Sequence, residues 1–169
     1  MKLVVGYLAT PGGADAMALA ARLARTLGAE LEICLIMPPD PAGVARLSVG
    51  GYDELLQEQG EKWLSEARAA VPDDVVARSN VSFDEYFADG LIDQVARLEA
   101  DAIVVGGSGG GLAGPFSLGS VVNELLHSSP VPVAVAPRGT RHSDVERVRE
   151  VTCAIGERQG AEQIGRAHV

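Results

Sequence analysis

Lysine is nearly missing from this 169-residue chain: Lys2 and Lys62 stand against twelve arginines, and no basic run gathers more than two or three charges. With a formal net charge of −9, the long-range field repels polyanions, which disfavours nucleic acid and acidic membrane surfaces as partners. Cysteine is scarce too. Cys34 and Cys153 each lie in an apolar strand-like run with no C-x-x-C between them, so neither a zinc site nor a disulfide framework is suggested, and a reducing cytoplasm is the expected location. Three histidines share no metal-binding spacing. No stretch approaches the ~18 apolar residues of a membrane span, and the opening MKLVVGYLATPGG begins with a strand-like run too short for a signal segment.

What is present is ordinary globular material, 47% hydrophobic and 22% charged, enough for one domain. Apolar runs rich in Val, Ile and Leu alternate with longer segments of helical period. Strands are predicted over 3–8, 30–38, 75–83, 101–107 and 131–137, and helices over 14–29, 52–71, 88–100 and 117–128, with a loop at 40–51. Gly28 is the expected stop of the first helix and Asp89 the expected N-cap of the third. Trp63 reads as a half-buried helix residue. Strands this apolar, each followed by a helix, imply an α/β fold: an open parallel sheet covered on both faces. Pro132 would break an interior ladder, so 131–137 is expected at an edge.

Residues 138–169 carry a fainter signal. VTCAIGERQGAEQIGRA (151–167) shadows VVGYLATPGGADAMALA (4–20), matching Val4 with Val151, Gly13 with Gly160, Ala14 with Ala161 and Ala20 with Ala167. The domain is therefore placed at 1–138. Residues 139–169 are an extension, either a surface tail or the opening of a truncated second copy.

The most informative stretch is GGSGGGLAGPFSLGS (106–120), which puts seven glycines into fifteen positions between a strand and a helix. Glycine is entropically costly to fix, so such density needs a reason. Three familiar motifs are tested first. Gly106-Gly107-Ser108-Gly109-Gly110 fits the nucleophile elbow, but no acid and histidine follow in a usable arrangement. Gly109-x-Gly111-x-x-Gly114 fits the dinucleotide fingerprint, but after the fourth strand rather than the first. A Walker A loop needs Gly-Lys-[Ser/Thr], and no lysine follows Lys62. The pattern that survives is Gly106-x2-Gly109-x9-Gly119-Ser120, in which backbone N–H groups and a helix N-terminus would curl around one anion, with Ser108, Ser117 and Ser120 adding hydroxyls. No Lys or Arg lies between Arg97 and Arg138, so this phosphate site is expected to work without side-chain cations and to bind rather than turn over its ligand.

With that spacing, and with LAARLARTLGAEL, ADAIVVGG and SPVPVAVAP in order, residues 2–137 resemble the universal stress proteins of the adenine-nucleotide-binding kind. The resemblance implies an adenine-nucleotide alpha-hydrolase-like, Rossmann-like fold, a five-stranded parallel sheet of order 3-2-1-4-5 with its ligand between strands 1 and 4. It implies ATP, alone or with Mg2+, near Gly6, Leu8, the backbone at Met37, Val105, Gly106, Ser108, Gly109, Gly119, Ser120 and Val121. It also implies a homodimer through 131–137. One departure weakens the case for adenosine: where the family's ATP binders place an aspartate at the end of strand 1, this chain has Leu8, and its first carboxylate is Asp15, one turn into a helix. Losing such a charge-assisted contact is worth about 1.5–3 kcal/mol. Three functions follow in order: a non-catalytic nucleotide-binding stress regulator, a dimeric interaction protein of the same fold that has lost its nucleotide, and a slow nucleotide hydrolase.

Overall fold

The computed structural model describes residues 1–39, 52–107 and 119–152. Along the chain run β1 (Lys2–Gly6), α1 (Pro11–Leu27), β2 (Glu30–Met37), α2 (Tyr52–Ala69), β3 (Ala77–Phe83), α3 (Phe87–Leu98), β4 (Ala102–Gly106), α4 (Ser120–Ser128) and β5 (Val133–Ala136). A single 3-10 turn, Thr140–His142, follows. All strand pairs are parallel and the order is β3-β2-β1-β4-β5, as the resemblance implied. β5 is an edge strand. Pro132 stands just before it, where its carbonyl still accepts from Ile103 N at 2.9 Å.

Because side chains alternate across a strand, the sheet sorts its residues into two cores. Leu3, Val5, Leu31, Ile33, Leu35 and Val104 point to one face, beneath Ala16, Met17, Ala20 and Ala24 of α1 and Leu64 and Ala67 of α2. Val4, Cys34, Ile36, Ile103 and Val105 point to the other, beneath Leu91 and Val95 of α3 and Val122 and Leu125 of α4. Both faces are dry, which is why the strands read as almost unbroken apolar runs. Trp63 is partly buried against the first core. Cys34 is fully buried, and desolvation pushes its thiol up to about 12.

Element ends depart from the sequence reading for identifiable reasons. α1 starts at Pro11 rather than 14: Thr10 is its N-cap, its hydroxyl accepting from Gly13 N at 3.2 Å, and Pro11 supplies a preset φ in the first turn. It stops at Gly28, as expected. α3 starts at Phe87, with Tyr86 as N-cap and Asp89 inside the first turn. The Asp84 carboxylate accepts from Tyr86 N at 3.0 Å and so turns the chain into the helix before Asp89 is reached. The expected loop at 40–51 and most of the shadow repeat (153–167) lie outside the described residues.

Beyond β5 the chain folds back along α1. Arg22 donates to Thr140 O and Ser143 O, both at 2.7 Å, Val148 N donates to the Thr26 hydroxyl at 2.9 Å, and Arg147 donates to Arg25 O. These bonds hold residues 139–148 as a strap on the outer side of the sheet's first helix.

Candidate functional site

In the order 3-2-1-4-5 the crossovers leave β1 in opposite directions, so the carboxyl ends of β1 and β4 diverge and leave a crevice. A cavity of about 680 Å3 occupies that place, within the usual size of small-molecule sites. Gly6, Val105, Gly106 and Gly107 line it at the strand ends, Leu8 and Thr10 to Gly13 on one side and Gly119 to Val122 on the other, and Phe87, Arg138 and Arg141 also line it.

The glycines at the strand end are required by a close approach. A Cβ on Gly106 would stand 2.1 Å from Gly12 O, so the β1–α1 turn can lie against the end of β4 only because no side chain is there. Gly106 is in register with Ala136, and Gly107 N donates to Ala136 O at 2.9 Å, which keeps the strand's end flat against β5. Gly119 is the N-cap of α4 with φ 80° and ψ 160°, a region essentially closed to other residues. The backbone arrives there extended and enters the helix at once. Asn123 N is the first to bond back, to Gly119 O at 3.1 Å, so the N–H groups of Ser120, Val121 and Val122 precede the helical ladder beside the cavity.

Of the residues expected to hold a ligand, Gly6, Leu8, Val105, Gly106, Gly119, Ser120 and Val121 all line this cavity. Ser108 and Gly109 lie outside the described residues. Met37 is elsewhere: its side chain is buried beneath α2 beside Gly60, and its carbonyl accepts from Asp84 N at 2.9 Å. Leu8 follows β1 rather than ending it and is half exposed.

The expectation of a site without side-chain cations does not hold. Arg138 and Arg141 join the lining from the segment after β5. The signal for them was the strand order itself: if β5 pairs with β4, whatever follows β5 lands beside the loop after β4. Asp15 was noticed in the sequence only as misplaced. In the fold it is 2% exposed and takes Gly139 N at 3.0 Å, Arg141 N at 2.9 Å and Arg141 Nη1 at 2.9 Å. Burial works against its charge, but the two backbone N–H groups and the guanidinium outweigh it and hold the carboxyl below the ordinary aspartate range. Thr10, Pro11, Gly12 and Gly13 also line the cavity. Among the described residues no His, Cys, Asp or Glu cluster could hold a metal ion, and no helix is long and apolar enough to cross a membrane.

Comparison with known proteins agrees with this geometry. The sequence model of the universal stress protein family matches residues 1–137. The universal stress protein Rv2319c of Mycobacterium tuberculosis is 30% identical over 171 residues, covering 98% of this chain; the chain spans 58% of that relative's length. Two solved structures share the fold. A universal stress protein in complex with cAMP has a TM-score of 0.57 and 21% identity, covering 82% of this chain and 98% of its own. The universal stress protein from Archaeoglobus fulgidus in complex with dAMP has a TM-score of 0.57 and 16% identity, covering 79% and 94%. Sheet order, the glycine-built crevice and the match over residues 1–137 lead to one conclusion: this chain belongs to the universal stress protein family.

Proposed function

We propose that this chain is a non-catalytic module that binds an adenine nucleotide, ATP foremost, and acts in the stress response through the shape or contacts it takes when the site is filled. The observation that carries the reading is the apposition of Gly12 with Gly106 beside the N-terminus of α4, which leaves a crevice floored by backbone and faced by N–H groups. Ser120 would donate a hydroxyl, and Ser108 and Gly109 would complete the loop around the phosphates. The named cAMP and dAMP complexes of structural neighbours support an adenine nucleotide as the class. Mg2+ could accompany a polyphosphate. Among the described lining residues Asp15 is the one carboxylate, and it is already committed to Arg141 and Gly139, which leaves no side-chain base over the crevice and favours binding over hydrolysis. Two copies would pair through the β5 edge.

Isothermal titration with ATP, ADP and AMP tests this. Micromolar binding is expected, abolished by Gly12→Leu. A Cβ at Gly12 stays 3.4 Å from Gly107 O, an ordinary contact, so the first added carbon makes no clash; circular dichroism checks that the variant is folded, and the rest of its side chain is expected to obstruct the crevice. Unchanged affinity in that variant removes the site.

A second reading is favoured by Leu8, whose side chain offers an alkyl group and no carboxylate for a ribose. It makes the chain a dimeric interaction protein of the same fold without nucleotide. Mass spectrometry of gently purified protein separates the two, since co-purifying nucleotide is incompatible with the second.

A further inference from the structure

Two guanidiniums and one carboxylate line the cavity of a chain whose net charge is −9. This local reversal of sign needs an explanation. Most other arginines of the described fold are used internally: Arg25 grips Asp74 at 2.7 Å, Arg78 reaches Glu30 and Glu32, and Arg97 holds Gln94. Arg138 takes no hydrogen bond or ion pair among the described residues, yet lines the cavity. Arg141 is committed through Nη1 alone, to Asp15 at 2.9 Å and Pro11 O at 3.1 Å, which restrains the guanidinium and leaves its Nε and Nη2 groups without a partner among the described residues.

The lining is not uniform. On the β1 side it is apolar: a Cβ at Gly6 would meet the Phe87, Leu91 and Val105 side chains. On the β5 side Gly107 is tied to Ala136, and Arg138 follows only two residues later, so this cation stands on the flank of β4 away from β1. A ligand that joins an apolar ring to several charges fits this mixed lining.

We propose that Arg138, with Arg141 on the same lining, makes the cavity grade its ligands by the number of free phosphate charges, preferring nucleoside di- and triphosphates to a cyclic monophosphate. This rests on the nucleotide reading above and adds a selectivity to it. A phosphate without ester closure offers more charge and more oxygens to a guanidinium fork than a cyclic diester does, and each added phosphate adds to both. Because Arg138 is exposed, solvent screening limits its effect to roughly two- to fivefold in affinity.

The test is titration of the full chain with cAMP, AMP, ADP, ATP and inorganic tripolyphosphate at two salt concentrations. In the parent protein affinity should climb from cAMP to ATP and fall with salt. Arg138→Gln should weaken ATP about two- to fivefold and cAMP by a smaller factor, with Arg138→Lys recovering part of the loss and thermal unfolding unchanged. If Arg138→Gln changes all nucleotides equally, or none, the selectivity is refuted while the nucleotide reading stands. If no nucleotide binds but tripolyphosphate does so through Arg138, the nucleotide reading and the selectivity built on it both fall, and a general anion site is left. If neither binds, both are overturned.

Discussion

Asp15 shows how far one residue's meaning depends on the fold around it. In sequence it is a carboxylate in the wrong place for a ribose; in space it is a buried acceptor that gathers Gly139 N, Arg141 N and the Arg141 guanidinium. Asp15→Asn would leave Arg141 without its counter-charge and is expected to cost about 2–4 kcal/mol in urea unfolding at neutral pH. Its pH dependence has a definite sign. The folded carboxyl titrates below the ordinary aspartate range, so the unfolded chain takes up the proton first on acidification. The stabilisation is complete above the ordinary aspartate pKa and is lost as pH falls through the lower folded value. Urea midpoints measured from neutral pH down to pH 3 should fall more steeply in the parent than in Asp15→Asn.

At the scale of elements, periodicity located every described strand and α-helix, with the first residues of β2 and α2, but not where most of the others begin. The apolar repeat of α1 was legible from 14 onward, whereas its first turn, PGG, has no apolar period and is helical because Thr10 caps it and Pro11 enters it. Asp89 looked like a cap because it precedes apolar residues, but Asp84 had already turned the chain. The apolar runs reach beyond the ladders: past the end of β1 to Leu8, which lines the crevice, and two residues ahead of β3 and β5. Thr10→Ala is expected to destabilise the protein by about 1 kcal/mol, read as a lower midpoint in denaturant at unchanged slope. A Thr10→Ser variant, which keeps the hydroxyl, should recover most of it.

For the molecule as a whole, sheet order and crevice position were legible because local patterns and family resemblance agreed. Seven of the ten expected site residues line the cavity. The rest of its lining was hidden by distance in sequence: Arg138 and Arg141 follow the last strand, more than a hundred residues from the Pro11–Gly13 turn they join. Composition alone cannot place such partners. Cys34 offers a measure of the intact sheet. Fully buried on β2, an interior strand, with a thiol pushed up to about 12, it should resist alkylation at pH 8 in native protein and label only at the rate of global opening. Peptide mapping over a time course checks this; rapid native labelling at Cys34 would mean the sheet opens locally.

The strap beyond β5 is held mainly through main-chain atoms of its own: the amides of Gly139, Arg141 and Val148 and the carbonyls of Thr140 and Ser143. Side-chain identity at most of those positions is not what α1 recognises. The segment works as a ruler, tolerant of spelling but not of length, so removing a single residue between Gly139 and Val148 would put every later fastening out of step.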